Sequence, residues 1–165
     1  MRWLGPKDFD FSVLLGSGGF GAVFKAKRKS TGKEYAMKVQ PIATMARSAR
    51  SFGKNTEDET LIHMERTVLA SCRIHPFIVN LEYAFYTDSH AVLGLEYVSG
   101  GTLSTLISSI PGKRLPFSLC KTYAMELILA LNFMHCKGII YRDLKVNTNR
   151  SFIMINIKEM SLIMH

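Results

Sequence analysis

Three short segments of this chain carry residue types whose spacing suits chemistry on phosphate. Gly16, Gly18 and Gly21 form a Gly-x-Gly-x-x-Gly run, Lys38 closes the stretch Tyr35-Ala36-Met37-Lys38, and Asp143 stands two residues before Lys145 in Tyr141-Arg142-Asp143-Leu144-Lys145. Glycines let backbone amides close on phosphate oxygens without side-chain obstruction. A lysine brings a compact positive charge to those oxygens. An aspartate can accept or orient a hydroxyl proton while a neighbouring lysine neutralises charge on a transferred group. Each segment alone is ambiguous. The glycine spacing also serves dinucleotide-binding folds, a lone lysine at a strand end is usually a surface residue, and an Arg-Asp pair is usually a surface salt bridge.

The elements that must position these residues follow from periodicity. Phe9, Phe11, Val13 and Leu15 alternate with Asp10, Ser12 and Leu14, which predicts a strand, and Ala22 to Lys27 repeats the pattern. The glycine run joins the two. In a dinucleotide fold its last glycine would open a helix, whereas here Ala22-Val23-Phe24 continues as a strand, so the run reads as a hairpin lid. Ser30-Thr31-Gly32-Lys33 is a turn by composition and leads into a third strand from Glu34 to Gln40. On that strand Ala36 and Lys38 share a face, a small side chain beside a cation, as a flat base next to its phosphates requires.

Pro41 to Asn55 has no clear period and is a connector. Thr56-Glu57-Asp58-Glu59 has the form of a capping box and opens a helix running to about Cys72. On its surface Leu61, Val68, Leu69 and Cys72 share a stripe with Glu65. A carboxylate in an apolar stripe needs a cation to offset its desolvation, and an inward Lys38 supplies one.

Pro76 ends that element. Phe77 to Phe85 and Ala91 to Tyr97 read as two further strands, Thr102 to Ser109 as a short helix, and Phe117 to Cys136 as a long helix with Ala124, Leu127, Ile128, Leu131 and Met134 on its apolar face. Five strands with one helix, followed by helices, make an α+β order. The chain divides into residues 1–98, residues 99–145, and a segment 146–165 of different character.

The 165 residues are 47% hydrophobic and 21% charged, a globular composition with no repeat or low-complexity stretch. The net charge of +8 is spread over a hairpin (Lys25, Lys27, Arg28, Lys29, Lys33) and a connector (Arg47, Arg50, Lys54) without an aromatic stacking platform, which favours a solvated basic face over a nucleic-acid surface. Cys72, Cys120 and Cys136 are odd in number and lack metal-ligand spacing, as expected of reduced thiols in the cytoplasm or nucleus. No signal peptide or membrane span is read.

Taken in order, the glycine run, Lys38, Glu65 and Tyr-Arg-Asp-Leu-Lys resemble the eukaryotic protein kinase family over residues 8 to 145. His75-Pro76-Phe77-Ile78-Val79-Asn80-Leu81-Glu82-Tyr83-Ala84-Phe85 and the tyrosine at 141 look like the AGC group of Ser/Thr kinases. The resemblance implies a small lobe of a five-stranded antiparallel sheet and one helix, followed by the first helices of an incomplete large lobe. It implies transfer of the γ-phosphoryl group of ATP to protein Ser/Thr hydroxyls, with Asp143 as base and Lys38, Glu65 and Lys145 as positioning and charge-neutralising groups. ATP would be held by Gly16, Gly18, Gly21 and Lys38, roofed by Val23 and Ala36, with Leu95 as gatekeeper and Glu96, Tyr97 and Val98 as hinge. Leu69, Leu81 and Tyr141 would belong to the family's apolar spine.

The chain also departs from the family. Thr148 stands where the catalytic loop requires asparagine, with Asn147 and Asn149 out of register, and neither Asp-Phe-Gly nor Ala-Pro-Glu follows. The Mg²⁺ expected for the family would therefore lack its main ligands, and no residue is assigned to metal. Thr102 replaces an acidic residue after the hinge glycines, which leaves a preference for basic substrates open. The Ile, Met, Asn, Phe and Lys bias of Val146 to His165 suggests translated intron or frameshifted sequence. Two readings stand: a Ser/Thr kinase domain fragment, and a non-catalytic nucleotide- or partner-binding truncated kinase. In either, the helix from Phe117 would expose an apolar face that a protein partner covers.

Overall fold

A computed structural model describes residues 4–18, 21–42, 58–141 and 144, the side chains of 58–64 apart. The expected capping box at Thr56, the connector to Asn55 and the segment 146–165 lie wholly or largely outside the described residues. The chain divides into two compact units, Met1–Ser71 with Asn80–Tyr97, and Cys72–Val79 with Val98–His165.

In the first unit the period-two segments become an antiparallel meander. Strand β1 (Phe9–Gly18) pairs with β2 (Gly21–Arg28), which pairs with β3 (Glu34–Pro41). Helix α1 (Asp58–Ser71) follows, then the hairpin of β4 (Leu81–Tyr86) and β5 (His90–Glu96). β5 lies against β3, giving the order β1-β2-β3-β5-β4. This is the five-stranded antiparallel sheet with a helix that the sequence predicts.

Alternation then sorts β3 into two faces. Tyr35 and Met37 point into an aromatic core with Phe9, Ala26 and Val92, on which Val39, Tyr83 and Phe85 also pack. Phe9 meets Tyr83 edge-on at 5.5 Å and stacks on Phe85 at 6.1 Å, and Tyr35 meets Tyr83 at 5.0 Å. Such pairs add about 0.5–1.5 kcal/mol each beyond area burial. Ala36, Lys38 and Gln40 take the opposite face. The sheet core is thereby built on one side, and the other is left to the site.

The strand β1 forms as expected, but of its alternating apolar residues only Phe9 is buried. Phe11, Val13 and Leu15 are exposed, as is Leu14. As an edge strand β1 has a neighbour on one side only, and its register shifts between Phe11 and Leu14 and again between Leu14 and Gly16, so the alternation is not kept over one face.

Burial pushes the Tyr35 hydroxyl up to about 12, helped by its hydrogen bond with the Tyr83 hydroxyl at 3.1 Å. In the unfolded chain a tyrosine ionises near 10. The folded state therefore holds its proton longer, and the stabilisation is complete below pH 10 and lost as the pH rises from 10 through 12. Urea midpoints measured at pH 8 and pH 11.5 are expected to fall more steeply for the wild type than for Tyr35→Phe, by on the order of 2 kcal/mol. Parallel pH dependence in the two proteins would refute it.

The second unit contains helix α2 (Leu103–Ser109) and helix α3 (Phe117–Cys136). Thr102 caps α2 by accepting from the Thr105 N–H at 3.0 Å. The expected strand from Phe77 is corrected here: residues 77–80 are not in a strand, and β4 begins at Leu81. Pro76 cannot continue a ladder, and the Phe77 N–H donates to His75 Nδ1 at 3.2 Å, which folds the segment into a turn. Burial lowers the His75 pKa, so the imidazole stays neutral and can accept. Ile78 is fully buried with Cys72, Ala130 and Met134, and Phe77, Leu127, Leu131 and Tyr141 pack around them.

The apolar face of α3 is rotated from the expected one. Tyr123, Glu126, Ala130 and Met134 are buried and Leu127 and Leu131 half-buried, but Ala124 is exposed and Ile128 is 62% exposed. The helix carries apolar residues nearly all round, so spacing could not choose between stripes. Met125, Ile128 and Leu129 consequently form an exposed apolar side.

Candidate functional site

The glycine run forms the tip of the β1–β2 hairpin, with Gly18 opposite Gly21. At Gly21 the backbone demands glycine. Its φ is +118°, and a Cβ there would lie 2.2 Å from the Val39 carbonyl oxygen and 3.1 Å from the Gln40 Cα. The hairpin thus presses directly on the backbone of β3 beside Lys38. Gly16 has no described atom within 4 Å of where a Cβ would stand.

Antiparallel pairing aligns the side chains that follow. Val23 lies opposite Lys38, and Lys25 opposite Ala36. Ala36 in turn lies opposite Leu95, and Lys38 opposite Leu93. Directly paired residues share a face, so Val23, Ala36, Lys38 and Leu95 are on one side of the sheet. Val23, Ala36 and Leu95 are buried, an apolar surface that runs up to Lys38, with Lys25 on the same face beside Ala36 and paired to Glu34.

Helix α1 supplies the counter-charge. Lys38 Nζ lies 2.5 Å from Glu65 Oε1, with 15% and 22% of the two side chains exposed. Glu65 is held on its other oxygen too, since Gln40 Nε2 donates to Oε2 at 3.3 Å. Gln40 is a residue that the sequence reading missed, although its two-residue offset from Lys38 placed it on the same face. Lys38, Glu65 and Gln40 are thus one cluster, formed by two alternate positions of β3 and one of α1.

At the other end of β5, Glu96 is half-buried. Its N–H donates to the Asn80 carbonyl at 2.9 Å, and its Oε2 accepts from Asn80 Nδ2 at 3.1 Å. A base edge at Glu96 would therefore meet the carbonyl rather than the N–H. Asn80 was also missed, hidden within the run misread as a strand. Val98 belongs to the second unit and is half-buried. Asp143 and Lys145 lie outside the described residues, while Tyr141 packs against the second unit's core.

The basic hairpin spends charge locally. Lys25 pairs with Glu34 at 2.9 Å, Lys29 with Asp10 at 3.4 Å and Lys33 with Glu82 at 3.4 Å. The hydrogen bond to Glu34 raises the Lys25 pKa. Among the described residues no group of three or more His, Cys, Asp or Glu is placed to hold a metal ion, and no helix is long and apolar enough to cross a membrane.

Comparison with known proteins yields one family. Its description, protein kinase domain, matches residues 9–161. The serine/threonine-protein kinase nrc-2 of Neurospora crassa is 37% identical over 142 residues, 86% of this chain and 21% of that protein. A RAC family serine/threonine-protein kinase homolog of Dictyostelium discoideum is 37% identical over 142 residues, 86% of this chain and 30% of that protein. The ribosomal protein S6 kinase alpha-2 of Homo sapiens is 41% identical over 145 residues, 85% of this chain and 18% of that protein. The chain therefore spans less than a third of the length of these curated relatives.

Proposed function

The chain belongs to the protein kinase family, and from that premise we propose that it binds ATP and takes part in phosphoryl transfer to Ser or Thr hydroxyls of a protein substrate. One observation carries the reading: the Lys38–Glu65 pair stands on the sheet face that also presents Val23, Ala36 and Leu95. An ammonium fixed by a carboxylate beside an apolar strip suits a nucleotide whose base rests on the strip and whose α- and β-phosphates meet the charge. The residues fit the group, because Gly21 closes the hairpin on β3 and Gly16 leaves its outer side free of a side chain.

ATP, when bound, supplies the phosphoryl group. The chain's own residues do the rest. Gly16, Gly18 and Gly21 offer backbone amides to phosphate, and Lys38 neutralises it. Glu65 orients Lys38. Val23, Ala36, Leu95, Glu96 and Val98 are assigned to the base. Asp143 takes the acceptor hydroxyl proton, and Lys145 offsets charge as that oxygen bonds to the γ-phosphorus and the bond to the β,γ-bridging oxygen breaks, releasing ADP. Three cysteines outside any disulfide suit a reducing compartment.

Thr148, in the place of the family's catalytic-loop asparagine, favours a second reading, nucleotide binding without transfer. Displacement of a fluorescent ATP analogue, run beside transfer from γ-labelled ATP to a generic Ser/Thr acceptor, separates the two. Transfer that Asp143→Asn lowers by about 10²–10⁴ and that Lys38→Met abolishes is the expected result. Binding without transfer would establish the second reading, and absence of binding would overturn both.

A further inference from the structure

Gln40 is 2% exposed, yet it is polar and lies in the interior of a sheet whose other buried side chains are almost all apolar. Its Nε2 donates to Glu65 Oε2 at 3.3 Å, and its Oε1 is buried without a hydrogen-bond partner among the described residues. The carboxylate can only accept, so the amide must present its nitrogen to Glu65 and leave its oxygen orphaned. Such an acceptor carries a desolvation cost that leucine, of nearly the same volume, would avoid. Packing alone therefore does not account for an amide here. What leucine could not do is hold Glu65.

Glu65 has two oxygens and the site uses one. Lys38 takes Oε1, and a carboxylate held by one contact is free to rotate about its terminal torsion. The donor from Gln40 on Oε2 removes that freedom. Lys38 and Gln40 are two apart on β3, and the ladder positions Val39 opposite Ala22 and Val92, and Gln40 opposite Ala91. The two donors therefore reach Glu65 from the central strand of the sheet, held between β2 and β5. The backbone at Val39 and Gln40 is also the surface on which Gly21 closes, so one stretch of strand supports lid, lysine and carboxylate together.

We propose that Gln40 is a positioning residue of the nucleotide site, fixing Glu65 through the oxygen that Lys38 leaves free and so holding the Lys38–Glu65 pair in place before nucleotide arrives. This rests on the ATP-binding reading above and deepens it. Gln40 touches no phosphate. It acts through Glu65, and its effect must vanish when Glu65 is removed.

The test is a double-mutant cycle on the full chain, with Gln40→Leu and Glu65→Ala made singly and together. Affinity for a fluorescent ATP analogue and urea unfolding are both measured. Gln40→Leu is expected to weaken nucleotide binding about tenfold, in the range of one hydrogen bond to a charged group, with the unfolding midpoint unchanged or raised because the orphaned oxygen is gone. In the Glu65→Ala background the same substitution is expected to change affinity by less than about twofold, the scatter of independent sites. A merely structural Gln40 would lower the midpoint and leave affinity alone, and that result overturns the proposal. Equal losses of affinity in both backgrounds overturn it too.

If the wild-type chain binds no nucleotide, the ATP reading falls, and the urea arm still decides the clamp. Coupling of about threefold or more in the unfolding equilibrium between Gln40 and Glu65 upholds the contact as a positioning one. Additive effects refute it.

Discussion

Gly21→Ala is expected to lower folding stability by roughly 3 kcal/mol or more, or to leave the chain insoluble, whereas Gly16→Ala, in the same glycine run, is expected to unfold at the wild-type midpoint. Two effects act at Gly21. A φ of +118° is a conformation that a side chain resists, and the new Cβ would fall 2.2 Å from the Val39 carbonyl oxygen. The obstacle is backbone in the centre of a paired strand, so it cannot turn aside as a long side chain would. Either the hairpin tip lifts from β3 or the β2–β3 ladder breaks near Ala22 and Val39. At Gly16 no described atom stands within 4 Å, and no positive φ is required. The contrast is measured by urea denaturation of both variants beside the wild type. A wild-type midpoint for Gly21→Ala would refute the account of the hairpin as a lid pressed on β3.

That contrast also shows what the sequence could and could not disclose. The spacing Gly16, Gly18, Gly21 marks a glycine run joining two strands, but not which glycine is structurally obligatory, since that depends on how closely β3 approaches. The five strands and the helices α1, α2 and α3 were legible because period two and period 3.6 differ sharply over their lengths. The stretch 77–80 was misread because a buried apolar turn and a buried strand share a composition. The hydrogen bonds from the Phe77 N–H to the His75 ring and from the Ile78 N–H to the His75 carbonyl distinguish them. The stripe on α3 was misplaced because Ile128 and Leu129 are as apolar as Leu127 and Leu131, and what the helix packs against decides which are buried. Glu65 was legible as an anion in an apolar stripe. Gln40 and Asn80 were not, because a neutral amide in a strand gives no electrostatic signal until its partners, Glu65 and Glu96, are in space.

Lys38→Met is expected to weaken binding of an ATP analogue by about a hundredfold, in keeping with the loss of a charge-assisted contact to phosphate. It is also expected to cost about 1–3 kcal/mol of stability, because the half-buried Glu65 carboxylate loses its cation and keeps, among the described residues, the Gln40 amide. These two losses have different origins and can be separated. Removing one member of a buried ion pair leaves an uncompensated charge, whereas replacing both by apolar residues removes the charge as well. Lys38→Met combined with Glu65→Leu should therefore regain most of the stability and none of the nucleotide affinity. The recovery is incomplete, since the Gln40 amide then loses its acceptor while its Oε1 is already without a partner among the described residues. Adding Gln40→Leu should complete it, giving a chain that folds at least as well as the wild type with the charged cluster erased. Urea midpoints for the single, double and triple variants, read beside displacement of the fluorescent analogue, decide the matter. If the double variant regains affinity along with stability, Lys38 is a structural cation rather than the group that meets phosphate. If it regains neither, the three side chains do not form the single electrostatic unit that their contacts describe.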